Sequence, residues 1–206
     1  NQPVQSADQS LQFNQLYQSQ MNFCPEPSYY LKRLTSIITT PMDVKRRRPI
    51  IIDGLNIGYS HGLHKKFSAR GILLCAQFFM YQGFESVEVM LPVHYRGAPG
   101  TETYTVLSML MNIGRIHFTP SRKIQNVRLT CYSDRIILDY AYICGGVVVS
   151  NDNFRDIYNE SEHYKEIIEN RHLMYMFIGD DIFFPKDQYG HLRPNLYAFD
   201  IVHFPA

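Results

Sequence analysis

Three consecutive isoleucines run into an aspartate, a glycine and an asparagine within residues 49–62 (PIIIDGLNIGYSHG), and this stretch restricts the fold more tightly than any other. A short β-branched run bounded by Pro and Gly reads as a central strand of a parallel sheet. Open α/β sheets place ligands in the loops at the carboxyl ends of such strands, so Asp53 stands at the expected site. Two other glycine-loop chemistries do not fit. A dinucleotide fingerprint needs G-x-G-x-x-G, whereas Gly54 and Gly58 are four apart and follow an acid. A phosphatase of the haloacid type would place a second aspartate where Leu55 stands.

Downstream, helical and strand patterns alternate. Residues 67–81 carry helical apolar spacing with Gly83 as the stop, 87–91 read as a second strand, 101–111 as a helix and 116–118 as a third strand. Residues 133–144 read as a helix, 146–150 as a fourth strand, 164–169 as a helix and 172–178 as a fifth strand. The alternation predicts an α/β, Rossmann-like fold: a mostly parallel sheet with right-handed connections and helices on both faces. Residues 1–27, rich in Gln, Asn and Ser, predict a flexible polar arm that cannot bury enough apolar surface to order itself. Residues 28–47 predict a short helix after Ser28 and a basic linker, and 48–204 the folded domain. The basic run KRRR at 45–48 lies about 17 Å from Asp53 at 3.3 Å per strand residue, at the opposite edge of the sheet. It reads equally as a solvated charge run or a distal phosphate contact.

Composition sets outer limits. With 206 residues, 45% of them hydrophobic, the chain is long enough for one domain with a sizeable core. A net charge of +1 means that nucleic-acid binding has to come from a local patch. The four cysteines lack metal-ligand or C-x-x-C spacing, which predicts reduced thiols and an intracellular protein. No apolar run approaches the roughly 18 residues of a membrane span, so no membrane partner is expected.

Asp53 and Asp152 follow strands that can lie side by side, about 4.8 Å apart. Asp134 enters from a helix start, and Asp156 lies four residues past Asp152. Four carboxylates thus converge on one sheet edge. Packed like charges resist joint ionisation unless they share a cation, and an all-oxygen donor set suits Mg²⁺ or Mn²⁺ rather than zinc. Such a site implies metal-assisted phosphoester chemistry, with Asn56, Ser133, Ser150 and Asn151 near enough in sequence to orient ligands or water. An acid that closes an isoleucine run has little structural purpose, which makes Asp53 the strongest of the four; the others also suit helix starts and turns. Arg96, Arg122, Lys123, Arg135 and Arg155 fall on or near the same edge and are candidate phosphate contacts for a nucleic-acid ligand, with Tyr95 as a base-stacking ring. Lys65, Lys66 and Arg70 extend that track. His61 suits a loop-ordering hydrogen bond better than acid-base work, and neither it nor His64 is needed by a metal-carboxylate site.

The segments IIIDGLNIGYSHG, FSARGILL, HFTPSRK, CYSDRIILDYAY, GGVVVSNDNFRDIYNES and RHLMYMFIGDDIFFPKDQYGH together resemble the NYN-type PIN domain of the Regnase (MCP-induced protein) endoribonuclease family. The likeness covers about residues 48–199. It implies a PIN-like nuclease domain that depends on Mg²⁺ or Mn²⁺ and cleaves single-stranded or stem-loop RNA in mRNA decay or RNA silencing. It also implies a cytoplasmic setting and products with 5′-phosphate and 3′-hydroxyl ends. By motif, Asp53 matches the acid of I-D-G-x-N, Asp134 the second acid of Y-D-D-R, and Asp152 and Asp156 the acids of S-N-D-x-[YF]-R-D. Two departures stand out. Tyr132-Ser133-Asp134-Arg135 replaces Y-D-D-R, so one carboxylate of the family pair is missing, which predicts a slow enzyme or an inactive RNA-binding scaffold with an active partner. No CCCH zinc finger appears in these residues, and no zinc is expected. RNA targeting is then left to a region outside them or to a partner. A homo-oligomer and a related NYN-domain partner both stay open.

Overall fold

The computed structural model describes residues 47–120, 123–124, 127–128 and 131–185. The polar arm, the 28–38 helix, Arg122 and everything after residue 185 lie outside them. A five-stranded, wholly parallel sheet carries the fold in the order β3-β2-β1-β6-β7. Its strands are β1 (Ile50–Asp53), β2 (Val87–Pro92), β3 (Ile116–Thr119), β6 (Val147–Val149) and β7 (His172–Leu173). The helices are α1 (Gly54–His61), α2 (Ala69–Tyr81), α3 (Glu102–Asn112), α4 (Cys131–Cys144) and α5 (Glu162–Asn170). Two antiparallel pairs, β4 (Lys123–Ile124) with β5 (Val127–Arg128) and β8 (Met176–Ile178) with β9 (Asp181–Phe183), complete it.

Ile50, Ile51 and Ile52 are all fully buried, as a central strand covered on both faces requires. Parity divides them. Ile51 joins Met90 and Val148 under Ile137, Leu138 and Ala141 of α4 and Ile167 of α5. The opposite face meets α1 and α2, which contact β1 and β2. From β1 the chain moves outward through β2 to β3, then returns across the sheet to β6 on the other side of β1. The reversal leaves a crevice between the carboxyl ends of β1 and β6, where doubly wound sheets bind ligands.

Three expectations are corrected. The segment after β1, expected as a ligand-binding loop at the strand's carboxyl end, is helix α1. Glycines here serve close approach: a Cβ on Gly54 of α1 would stand 2.9 Å from the Met90 carbonyl oxygen, and one on Gly71 of α2 would stand 2.3 Å from the His61 Cβ where α2 crosses α1. Gly71→Ala is therefore expected to destabilise the domain by about 1–3 kcal/mol, read as a lower urea midpoint at unchanged slope. An unchanged midpoint would show that the two helices have room to separate.

The expected strand 172–178 is instead β7 and β8. Only His172 and Leu173 extend the parallel sheet; β8 leaves it and folds back on β9 through Gly179 and Asp180, with Gly179 at φ +60° at the first turn position. The hairpin is held by Asp180, which accepts from Arg70 Nη2 (2.7 Å) and contacts His61 Nε2 (3.1 Å). Arg70 thus fastens α2 to the hairpin, a structural role that the sequence reading did not assign to it. His61, bonded also to Ser68 Oγ (2.8 Å), has the loop-ordering part expected of it. In the basic run, Arg47 and Arg48 are half-buried rather than solvated. The Arg47 guanidinium lies 5.0 Å from the Phe84 ring centroid, and Arg48 Nη1 donates to the Gly145 carbonyl at 2.8 Å.

Candidate active site

Strand parity points Asp53 toward α4, because it lies two residues beyond Ile51 on the same face. It is 6% exposed, and both carboxylate oxygens are engaged: Oδ1 accepts from the Asn56 N–H (3.1 Å) and Oδ2 from the Ser150 hydroxyl (2.9 Å). Asp53 is thus the N-cap of α1, a structural purpose that the sequence reading did not assign to it. Ser150 Oγ in turn accepts from the Asp152 N–H (3.1 Å), and Asp152 Oδ1 accepts from the Phe154 N–H (2.9 Å). This turn holds Phe154 at φ +48° with its ring fully buried.

Asp134 stands in the first turn of α4, where the helix dipole favours an acid. Asp53, Asp134 and Asp152 line one cavity of about 370 Å³, together with Asn56 and Ser133. Asp156 is exposed and outside that lining, yet its charge reaches Asp134. Burial pushes the Asp53 carboxyl up to about 6, against the pull of its bonds from Asn56 and Ser150, and the Asp152 charge adds to the rise. Asp134 is pushed up to about 7, first by burial and then by the charges of Asp53, Asp152 and Asp156. The acids therefore resist joint ionisation.

A folded-state pKa raised above 3.8 gives stability that is complete below that value and lost as pH rises through about 6–7. In chelator, the melting temperature is expected to fall between pH 5 and pH 8. Asp134→Asn, which cannot ionise, should recover roughly 2–4 °C of that fall at pH 8, a figure kept small because the carboxyl is partly solvated. Equal pH slopes for the two proteins would show that Asp134 ionises there without cost.

Sequence reasoning missed Tyr175. Its ring is buried, and its hydroxyl donates to Asn56 Oδ1 at 2.6 Å. Asn151 forms a clasp with the Tyr175 backbone: Nδ2 donates to the carbonyl and Oδ1 accepts the N–H, each at 3.0 Å. The clasp ends the β6–β7 ladder and fixes where β8 departs. The available signal was a phenol within an apolar run, whose polar tip needs a partner when buried.

The candidate RNA contacts separate. Arg155 is exposed near the acids. Arg96 lies against Tyr104 and Phe118, 6.0 and 5.8 Å from their ring centroids. Arg135 forks onto Glu160 with bonds of 2.6 and 2.8 Å, which ties α4 to the loop after β6. Tyr95 is part of an aromatic cluster, 4.8 Å from Phe67 and bonded through its hydroxyl to Tyr59 (3.1 Å). Arg122 and the Lys123 side chain lie outside the described residues. His64, at φ +57°, lines the cavity. Thr119 lines it too, with a buried hydroxyl that has no hydrogen-bond partner among the described residues.

The model of the Zc3h12a-like ribonuclease NYN domain matches residues 46–198. The chain belongs to this family. As a ribonuclease NYN domain it carries its acids at the crevice that this topology provides. Two solved structures of nuclear proteinaceous, or protein-only, RNase P 2 (PRORP2) from Arabidopsis thaliana share its fold at TM-score 0.52 and 15% identity. They cover 86% and 87% of this chain, which spans 36% of theirs. Among the described residues no helix is long and apolar enough to cross a membrane.

Proposed function

We propose that this NYN ribonuclease domain is a divalent-metal-dependent endonuclease that cleaves single-stranded or looped RNA. The observation that carries this reading is the meeting of Asp53, Asp134 and Asp152 in one cavity, with two of the carboxyls raised to about 6 and 7 by burial and mutual repulsion. Among the described residues no three or more His, Cys, Asp or Glu side chains are grouped so that together they could hold a metal ion. Mg²⁺ does not need such a group: it takes one or two carboxylates and keeps several waters, and these all-oxygen donors suit it or Mn²⁺. Of Asp53, Asp134 and Asp152, one or two would hold the ion directly and the rest through its waters, with Asp156 adding charge from the rim. When bound, the cation supplies charge neutralisation at the phosphate and acidifies attacking water.

The protein's own groups set the geometry. Ser150 and the Asn56 N–H hold the Asp53 carboxylate still, and the Asx turn holds Asp152. Water attacks phosphorus in line, an O–P bond forms, the P–O3′ bond breaks, and the proton passes to the leaving 3′-oxygen. The products carry 5′-phosphate and 3′-hydroxyl ends. Arg155 and Arg96, with Arg122 and Lys123, would contact phosphates and give affinity without base reading. Ser133 favours a second reading, an RNA-binding scaffold partnered by an active relative. Incubating the purified chain with labelled single-stranded RNA decides between them. Cleavage in Mg²⁺ or Mn²⁺ that stops in excess chelator is expected; full activity in chelator would remove the metal, and no cleavage in either ion would leave the scaffold.

A further inference from the structure

The Asn56 amide has an orientation fixed by its partners. The backbone N–H of Asn151 can only donate, and it points at one end of the Asn56 amide at 2.8 Å. That end must be the oxygen. The Tyr175 hydroxyl donates to the same oxygen at 2.6 Å, so both lone pairs are used. Because the Asn56 end that it meets is the oxygen, the Tyr175 hydroxyl must be the donor of that bond. Nothing among the described residues accepts from Asn56 Nδ2, while the Asn56 side chain forms part of the cavity wall beside Asp53 and Asp134. Within the cavity, Asn56 can therefore act only as a donor.

We propose that Tyr175 is a positioning residue that locks Asn56 so that its Nδ2–H₂ donates to a non-bridging oxygen of the scissile phosphodiester. The proposal rests on the ribonuclease reading above and assigns the substrate-facing donor of that site. A phosphodiester offers acceptors only, which matches a donor-only amide. A neutral donor next to the acids binds that phosphate without pairing with and silencing a carboxylate, as a lysine or arginine would. Without the phenol, one bond to Oδ1 remains and the amide has more freedom to turn its oxygen toward the phosphate, which repels it. Most of the affinity for RNA comes from cations elsewhere on the surface, so the loss should appear in the cleavage step and not in binding.

The test is single-turnover cleavage of one RNA by wild type, Tyr175→Phe, Asn56→Ala and the double variant, with melting temperatures alongside. Tyr175→Phe keeps the buried ring and removes the donor. It is expected to slow cleavage by about 10–100-fold with KM within about twofold of wild type. In the Asn56→Ala background the same change should cost less than about twofold, because the group it positions is gone. A single phosphorothioate diastereomer at the scissile phosphate should slow wild type and slow both single variants less. Tyr175→Phe that cuts at the wild-type rate would overturn the proposal, as would a loss that is fully retained in the Asn56→Ala background. A wild type that cuts no RNA in either ion would instead remove the ribonuclease reading on which the proposal stands.

Discussion

Asp53→Asn is expected to lower RNA cleavage by about 10³-fold or more while the domain stays folded. The substitution removes a charge and keeps the shape. Asn is as good an N-cap as Asp, and its oxygen can still accept from the Asn56 N–H, so α1 keeps its start. The new amide can donate to Ser150 Oγ, where the carboxylate accepted before. Loss of an acid that burial has pushed up to about 6 also relieves the metal-free fold at neutral pH. What disappears is the negative charge at the crevice between β1 and β6. Single-turnover cleavage, with circular dichroism as the control for folding, checks the result. A variant that cuts at the parental rate would place the reacting centre elsewhere; a variant that unfolds would show that the cap matters more than the charge.

Ser133→Asp is expected to speed cleavage by about 10-fold and to lower the Mg²⁺ concentration at half-maximal rate. Ser133 is half-buried in the first turn of α4 and lines the same cavity as Asp134, so a carboxylate there joins the acids already present. The helix start tolerates it, since acids in a first turn are favoured by the dipole. A second acid adjoining Asp134 raises the cost of joint ionisation and therefore the gain on binding a cation. In chelator at pH 8 the variant should melt lower than wild type, and Mg²⁺ should reverse the order. If neither wild type nor Ser133→Asp cuts at any metal concentration, the scaffold reading stands. If both cut at one rate, the missing family carboxylate has no part in this site.

Much of the fold is legible because its strands are buried on both faces. A strand covered by helices on each side reads as a nearly continuous apolar run: III and VVV are such runs, and VEVML is one interrupted only by Glu88. The carboxyl edge follows from them, and with it the neighbourhood of Asp53, Asp134 and Asp152. Family likeness was legible from the same segments. The failures share one physical cause: local propensity was overridden by contacts between elements distant in sequence. Gly54 and Gly58 look like helix breakers, yet α1 needs them to lie flush on β2 and beside Phe67. The 172–178 run looks like one strand, yet the Asn151 side chain pairs with the Tyr175 backbone and ends the ladder two residues into it.

By itself the sequence determined the α/β class, the strand-end positions of the acids and the family. Each of these depends on residue type and short-range periodicity, which a linear chain displays directly. The tertiary structure alone decided how the site is held: Asp53 as both cap and cavity acid, Ser150 bridging two strand ends, and Tyr175 locking Asn56 across 119 positions of sequence. It also gave Arg70 and Arg135 ion-pair partners, Asp180 and Glu160, that the sequence does not display. Hydrogen bonds and ion pairs depend on distances of about 3 Å and on donor direction. Neither quantity exists until the sheet has brought residues far apart in the chain to one edge.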